Sequence, residues 1–138
     1  MKNEIKLSDF PFYHKIKTRW RDLDAFRHVN NATFLSYVED ARIVFFKRWG
    51  INFKNKSLIV AAVKIDYLRQ LKHPSNIIIG QKVARIGNKS FDIQSAIFKD
   101  GEKNNPYCCS TITSVCYDFI EKKTIKVYNE IIEDYNNE

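Results

Sequence analysis

Between Ala32 and Trp49 the apolar residues Phe34, Val38, Ala41, Phe45 and Trp49 recur every three or four positions, with Leu35 and Phe46 widening the stripe. The spacing predicts one long helix from about Ala32 to Trp49. Asn30 or Asn31 supplies its N-cap, and Gly50 stands where a C′ glycine ends a helix. Nearly everything else reads as strand. "YHKIKTRW" alternates weakly before the helix; after it come "LIVAAVKIDYLR", "IIIGQKVARI", "KSFDIQSAIF" and "YCCSTITSVCYDF". "KHPSN", Gly87-Asn88, Asp100-Gly101 and residues 121–124 punctuate them as turns, and "YNEIIEDY" reads as a short closing helix. A sheet of hairpins with a single long apolar helix buries that helix economically by curling around it. The expected class is α+β, an antiparallel sheet wrapped around one long central helix.

At 138 residues the chain suits a single domain, residues 1–138. Its longest apolar run, Leu58 to Val63, is far short of the roughly 20 residues that span a bilayer. "MKNEIKLSDF" lacks an apolar signal core, so no membrane span and a cytoplasmic location are expected. The charge of +7 is scattered; the densest group is Lys122-Lys123 with Lys126, and no stretch forms a basic arm. Charge alone leaves nucleic acid, an acidic carrier protein or a phosphorylated small molecule open as partners. Cys108, Cys109 and Cys116 are odd in number and lie in a Thr- and Val-rich run, which predicts packing in a strand over a disulfide framework, a zinc site or a catalytic thiol.

The stretch that core and surface do not explain is "DLDAFRHVNNATF", residues 22–34. Acids and amides before a helix commonly cap it and favour its dipole. Asp24, however, precedes the helix by six or seven residues, too early for a cap, and belongs to the incoming loop. A helix N-terminus can polarise a carbonyl and hold an oxyanion, and a carboxylate facing it can attack the carbonyl or activate water. An ordinary Asp, with pKa about 3.9, is a weak base, so the pairing favours a substrate with a good leaving group. A thiol, with pKa about 8.5, is such a group, and a thioester is the natural substrate.

"DLDAFRHVNNATFLSYVEDAR" resembles the signature of the 4-hydroxybenzoyl-CoA thioesterase family of hotdog-fold proteins, in its acyl-CoA thioesterase branch. That pattern reads Asp-x-Asp-x-x-Gly-His-Val-Asn-Asn, then an aromatic-rich helix with Glu-x-Ala-Arg; "IDYLRQL" and "RIGNKSF" also look like the family's strands. The resemblance implies a hotdog fold that hydrolyses acyl-CoA to a carboxylic acid and free CoA. It implies Asp24 as nucleophile or general base, the backbone N–H near Asn31 as carbonyl donor, and His28 and Asn30 as residues shaping the site. Arg27 stands at the usual glycine position, where a long cation narrows the pocket or reaches a carboxylate on the substrate. Glu39 matches the helix acid and equally suits an intrahelical pair with Arg42. Lys89 and Ser90, with Arg85 nearby, fall where relatives hold the CoA nucleotide; a solvated turn lysine is the competing reading.

By the same resemblance no metal or other cofactor is needed, since CoA is part of the substrate. No nucleic acid is expected as partner, and sites between subunits imply a homodimer or homotetramer. Three alternatives use the same residues: a thioesterase acting on acyl carrier protein, an enoyl-thioester hydratase or dehydratase pairing Asp24 with His28, and a non-catalytic acyl-thioester binding module. His14 and His73 are read as solvated surface positions, and Asp22 as lying outside the chemistry.

Overall fold

The computed structural model describes residues 4–137. The central helix α1 (Asn31–Lys47) is capped by Asn30, whose Oδ1 accepts a hydrogen bond from the Ala32 amide at 2.9 Å. The chain then tightens rather than continuing to Trp49: the Trp49 amide bonds back to the Phe46 carbonyl at 3.0 Å, and Gly50 turns it with φ 65°. A glycine takes that left-handed conformation without the strain a Cβ would bring.

The strands are β1 (Phe12–Lys17), β2 (Ser57–Tyr67), β3 (Asn76–Ile86), β4 (Ser90–Lys99), β5 (Cys108–Asp118) and a two-residue β6 (Lys123–Thr124). All pairings are antiparallel, in the order β1-β3-β4-β5-β2, with β6 beside the end of β5. The expected strand through Trp20 instead ends at Lys17. There Thr18 bonds Ser75, and the chain enters a short 3-10 turn at Trp20–Asp22. The expected turn at 121–124 contains β6, and the closing helix is α2 (Asn129–Asn136).

The helix divides the core in two. Phe34, Val38 and Ala41 pack with Leu71, Ile77, Ile79, Ile97 and Cys108 at its N-terminal end. Phe45 and Trp49 pack with Val83, Phe91, Ile93, Cys116 and Ile131 at the other. A third cluster joins Phe10 to Phe98 and Ala96. Gly80 is required there, because a Cβ would stand 2.7 Å from the Phe10 ring. This is the expected α+β hotdog arrangement, an antiparallel sheet curled around the apolar face of one long helix.

The half of the sheet at β2 is different. Its partner β5 alternates buried and half-buried residues, whereas β2 leaves Val60, Val63 and Tyr67 about two-fifths exposed. These side chains share the face of Ser114, Ile112 and Cys108 opposite them. An edge strand this rich in β-branched residues is an uncovered pairing surface.

Candidate active site

Asp24 sits in a tight loop closed by a bridge between Leu23 and Val29. Its amide donates to the His28 carbonyl at 2.8 Å, and its Oδ1 accepts from the amides of Phe26 (2.8 Å) and His28 (3.2 Å). These bonds hold one carboxylate oxygen against the backbone. The second has no hydrogen bond among the described residues, and the half-buried side chain lines an open cavity of about 340 Å³.

Three residues past His28, the Asn31 amide opens α1. The Ala32 amide is taken by the Asn30 side chain and the Thr33 amide by the Asn30 carbonyl, whereas the Asn31 amide has no partner among the described residues. The loop leading into α1 thus carries a carboxylate fixed at one oxygen, and the helix it enters opens on an unpaired N–H. His28 contributes through its backbone. Its ring is not bonded to Asp24, and its buried Nδ1 lacks a partner among the described residues.

Asp22 is more than a neutral neighbour of this site. It is 3 % exposed and accepts from the Tyr37 hydroxyl (2.6 Å), the Arg19 amide (2.8 Å) and the Arg19 guanidinium (3.0 Å), while its carbonyl accepts from the Asn30 amide. Burial opposes ionisation, but the Tyr37 and Arg19 bonds outweigh it and hold the carboxyl below the usual range. Burial and the adjacent carboxylate push the Tyr37 hydroxyl well above its usual value. The loop thus hangs from a buried anchor that ties Arg19, Tyr37 and the helix cap together. Asp22, read from the sequence as lying outside the chemistry, builds the platform on which Asp24 stands. A signal for the anchor was Tyr37 itself, whose position on the buried stripe obliges its hydroxyl to find a partner.

Arg27 lines the same cavity as Asp24, whereas Glu39, Arg85, Lys89 and Ser90 do not. Glu39 receives a 2.7 Å bond from Arg42, which also donates to Ser114, so its carboxylate is engaged in the intrahelical pair. Arg85 forks onto Asp92 (2.9 and 3.1 Å) and reaches Ser90 (3.1 Å). The Asp92 bond raises the Arg85 pKa, while Asp92, despite its burial, is held low by Arg85 and Thr113. Exposed Lys89 lies in the β3–β4 turn. That hairpin packs with Phe45 and Trp49, at the far end of a 17-residue helix about 25 Å long. Within one chain Lys89, Ser90 and Arg85 do not share a cleft with Asp24.

Burial pushes the thiols of Cys108 up to about 12 and of Cys109 and Cys116 to about 11, as suits packed strand residues. The two histidines read as solvated both have partners, His14 with Asp40 (3.3 Å) and His73 with Thr18 (2.8 Å).

Known proteins share this architecture. The chain is 27 % identical over 124 residues to the long-chain acyl-CoA thioesterase FadM of Escherichia coli K12, covering 86 % of this chain and 92 % of that one. It is 33 % identical over 88 residues to the uncharacterized protein YsmA of Bacillus subtilis 168, a match spanning 62 % of this chain and 60 % of YsmA. A crystal structure of a thioesterase from Thermus thermophilus, complexed with coenzyme A and Zn, superposes with a TM-score of 0.74 at 28 % identity, covering 91 % of this chain and 98 % of that one. Residues 18–133 match the model of the Thioesterase-like superfamily, and the chain belongs to that superfamily.

Proposed function

We propose that this protein hydrolyses acyl-CoA thioesters, in the manner of the 4-hydroxybenzoyl-CoA thioesterase family, with Asp24 as the catalytic carboxylate. The observation that carries the reading is an Asp24 carboxylate fixed through one oxygen in the loop that leads into α1, with the Asn31 amide that opens the helix unpartnered among the described residues. The amide polarises the thioester carbonyl and receives the developing oxyanion. Asp24 either takes a proton from water as the water oxygen attacks, or attacks the carbonyl itself to form an anhydride that water then opens. In both routes the C–S bond breaks, the thiolate takes a proton from solvent, and the products are a carboxylic acid and CoA. His28 and Asn30 hold the loop and the cap.

The Asp–His dyad of a hydratase is less well supported, because Asp24 binds the His28 amide and not its ring. Support for CoA as the carrier comes from the relatives: FadM is an acyl-CoA thioesterase, and the Thermus thioesterase binds CoA. The +7 charge keeps acyl carrier protein as the second carrier to test. A homodimer joined along β2 explains the exposed apolar edge and resolves the placement of Lys89. Antiparallel pairing turns the second copy end for end, so its β3–β4 hairpin falls at the end that holds the first copy's Asp24.

Thiol release measured across aliphatic and aromatic acyl-CoAs, and across the same acyl groups on acyl carrier protein, tests the reading. Turnover of acyl-CoA supports it. Binding without thiol release from either carrier sinks it.

A further inference from the structure

Arg27 has φ 64°, a left-handed conformation that strains a side-chain-bearing residue. Glycine would avoid that strain, so an arginine there calls for a compensating use. Its side chain lines the same cavity as Asp24, together with Arg21 and Trp20. Neither the Arg21 nor the Arg27 guanidinium makes an ion pair or hydrogen bond among the described residues. Arg19, by contrast, is committed to Asp22. The cavity walls carry two unpaired cations against the single charge of Asp24, a net of +1 beside that carboxylate.

We propose that this cavity selects thioesters whose acyl group carries a carboxylate of its own a few carbons from the thioester carbonyl, held by Arg27 and Arg21. The proposal rests on the hydrolase reading of Asp24. A guanidinium fork matches a carboxylate in two parallel charge-assisted bonds, and the two cations offset the repulsion that Asp24 would exert on an anionic substrate. Trp20, 75 % exposed at the rim, offers an apolar wall to the intervening methylenes. A phosphate would satisfy the same cations. In CoA, however, the phosphates lie a whole pantetheine arm from the sulfur, whereas Arg27 is three residues from Asp24.

The test compares glutaryl with valeryl thioesters, on CoA and on N-acetylcysteamine, which lacks phosphate. The expected result is a glutaryl preference in kcat/KM of about tenfold or more on both carriers, collapsing toward one in Arg27→Gly and falling in Arg21→Ala. Glycine suits the backbone at 27, so the variant folds. Lys126→Ala, at the far end of the molecule, removes the same formal charge and should leave the preference intact. A wild type that turns over valeryl-CoA as well as glutaryl-CoA overturns the proposal and leaves the hydrolase reading standing. So does an Arg27→Gly loss that is equal for both acyl groups on CoA and missing on N-acetylcysteamine, which would assign the cations to phosphate. No thiol release from any of the four, with release from other acyl-CoAs, likewise overturns the proposal and leaves the hydrolase reading standing. No release from any acyl thioester overturns the hydrolase reading itself.

Discussion

Two aspartates two residues apart have opposite surroundings. Asp22 is buried, with its carboxylate filled by Tyr37 and Arg19. Asp24 is half-buried, with one oxygen tied to loop amides and the other unbonded among the described residues. A carboxylate saturated with internal donors holds structure, because its lone pairs are spent. One fixed at a single oxygen keeps the other for a reaction. Residue type does not separate these roles; the direction of each side chain from the loop does.

The largest expected effect comes from breaking the open member. Asp24→Asn keeps size and most hydrogen bonding but can neither attack carbon nor accept a proton. kcat should fall about 10²–10⁴-fold with KM near wild type, read by thiol release at matched melting temperature. An Asp24→Asn variant as fast as the parent ends the catalytic assignment. Breaking the closed member should act on stability instead. Asp22→Asn loses charge-assisted bonds to Tyr37 and Arg19 and should lower unfolding free energy by about 2 kcal/mol in denaturant melts. An unchanged midpoint would return Asp22 to the role of bystander.

The same contrast has a pH signature. The folded Asp22 carboxyl lies below its ordinary 3.8, so its contribution is complete above that value and is lost as pH falls through the folded pKa. Tyr37 is raised above its ordinary 10.0, so its contribution is complete below pH 10 and is lost as pH rises beyond it. Melting followed against pH should show a shallower acid limb in Asp22→Asn and a shallower alkaline limb in Tyr37→Phe. Limbs superposable on wild type would mean that the anchor does not form.

Two smaller effects sharpen the comparison. Arg27→Gly relieves a left-handed backbone beside Asp24 and should raise stability by about 1 kcal/mol, the opposite sign to Asp22→Asn. A lower melting temperature would show that the Arg27 side chain contributes more than its backbone costs. Lys89→Ala, at the far hairpin, should raise KM a few-fold with kcat nearly unchanged if the hairpin serves the site of a second copy. An unchanged KM removes Lys89 from the substrate path.

Local chemistry by itself determined the main elements. Helical spacing from Phe34 to Trp49, the Asn30 cap and the Gly50 stop marked α1 because those signals act within a few residues. The longer strands and their turns were legible for the same reason, to within one or two residues at their ends, except β1, which stops three short of Trp20, and the short β6, which lies inside the expected turn at 121–124. The proposal for Asp24 and Asn31 could be drawn from the sequence because their loop is contiguous. What only the tertiary structure decided was every role set by distant neighbours. The Asp22 anchor depends on Tyr37, fifteen residues on, and the burial of both. The separation of Lys89, Ser90 and Arg85 from Asp24 depends on which end of α1 the β3–β4 hairpin covers. The unpaired state of Arg21 and Arg27 follows from Arg19 alone reaching Asp22. Such contacts are long-range and compete for the same donors, and no residue's partner in that competition can be read from its neighbours in the chain.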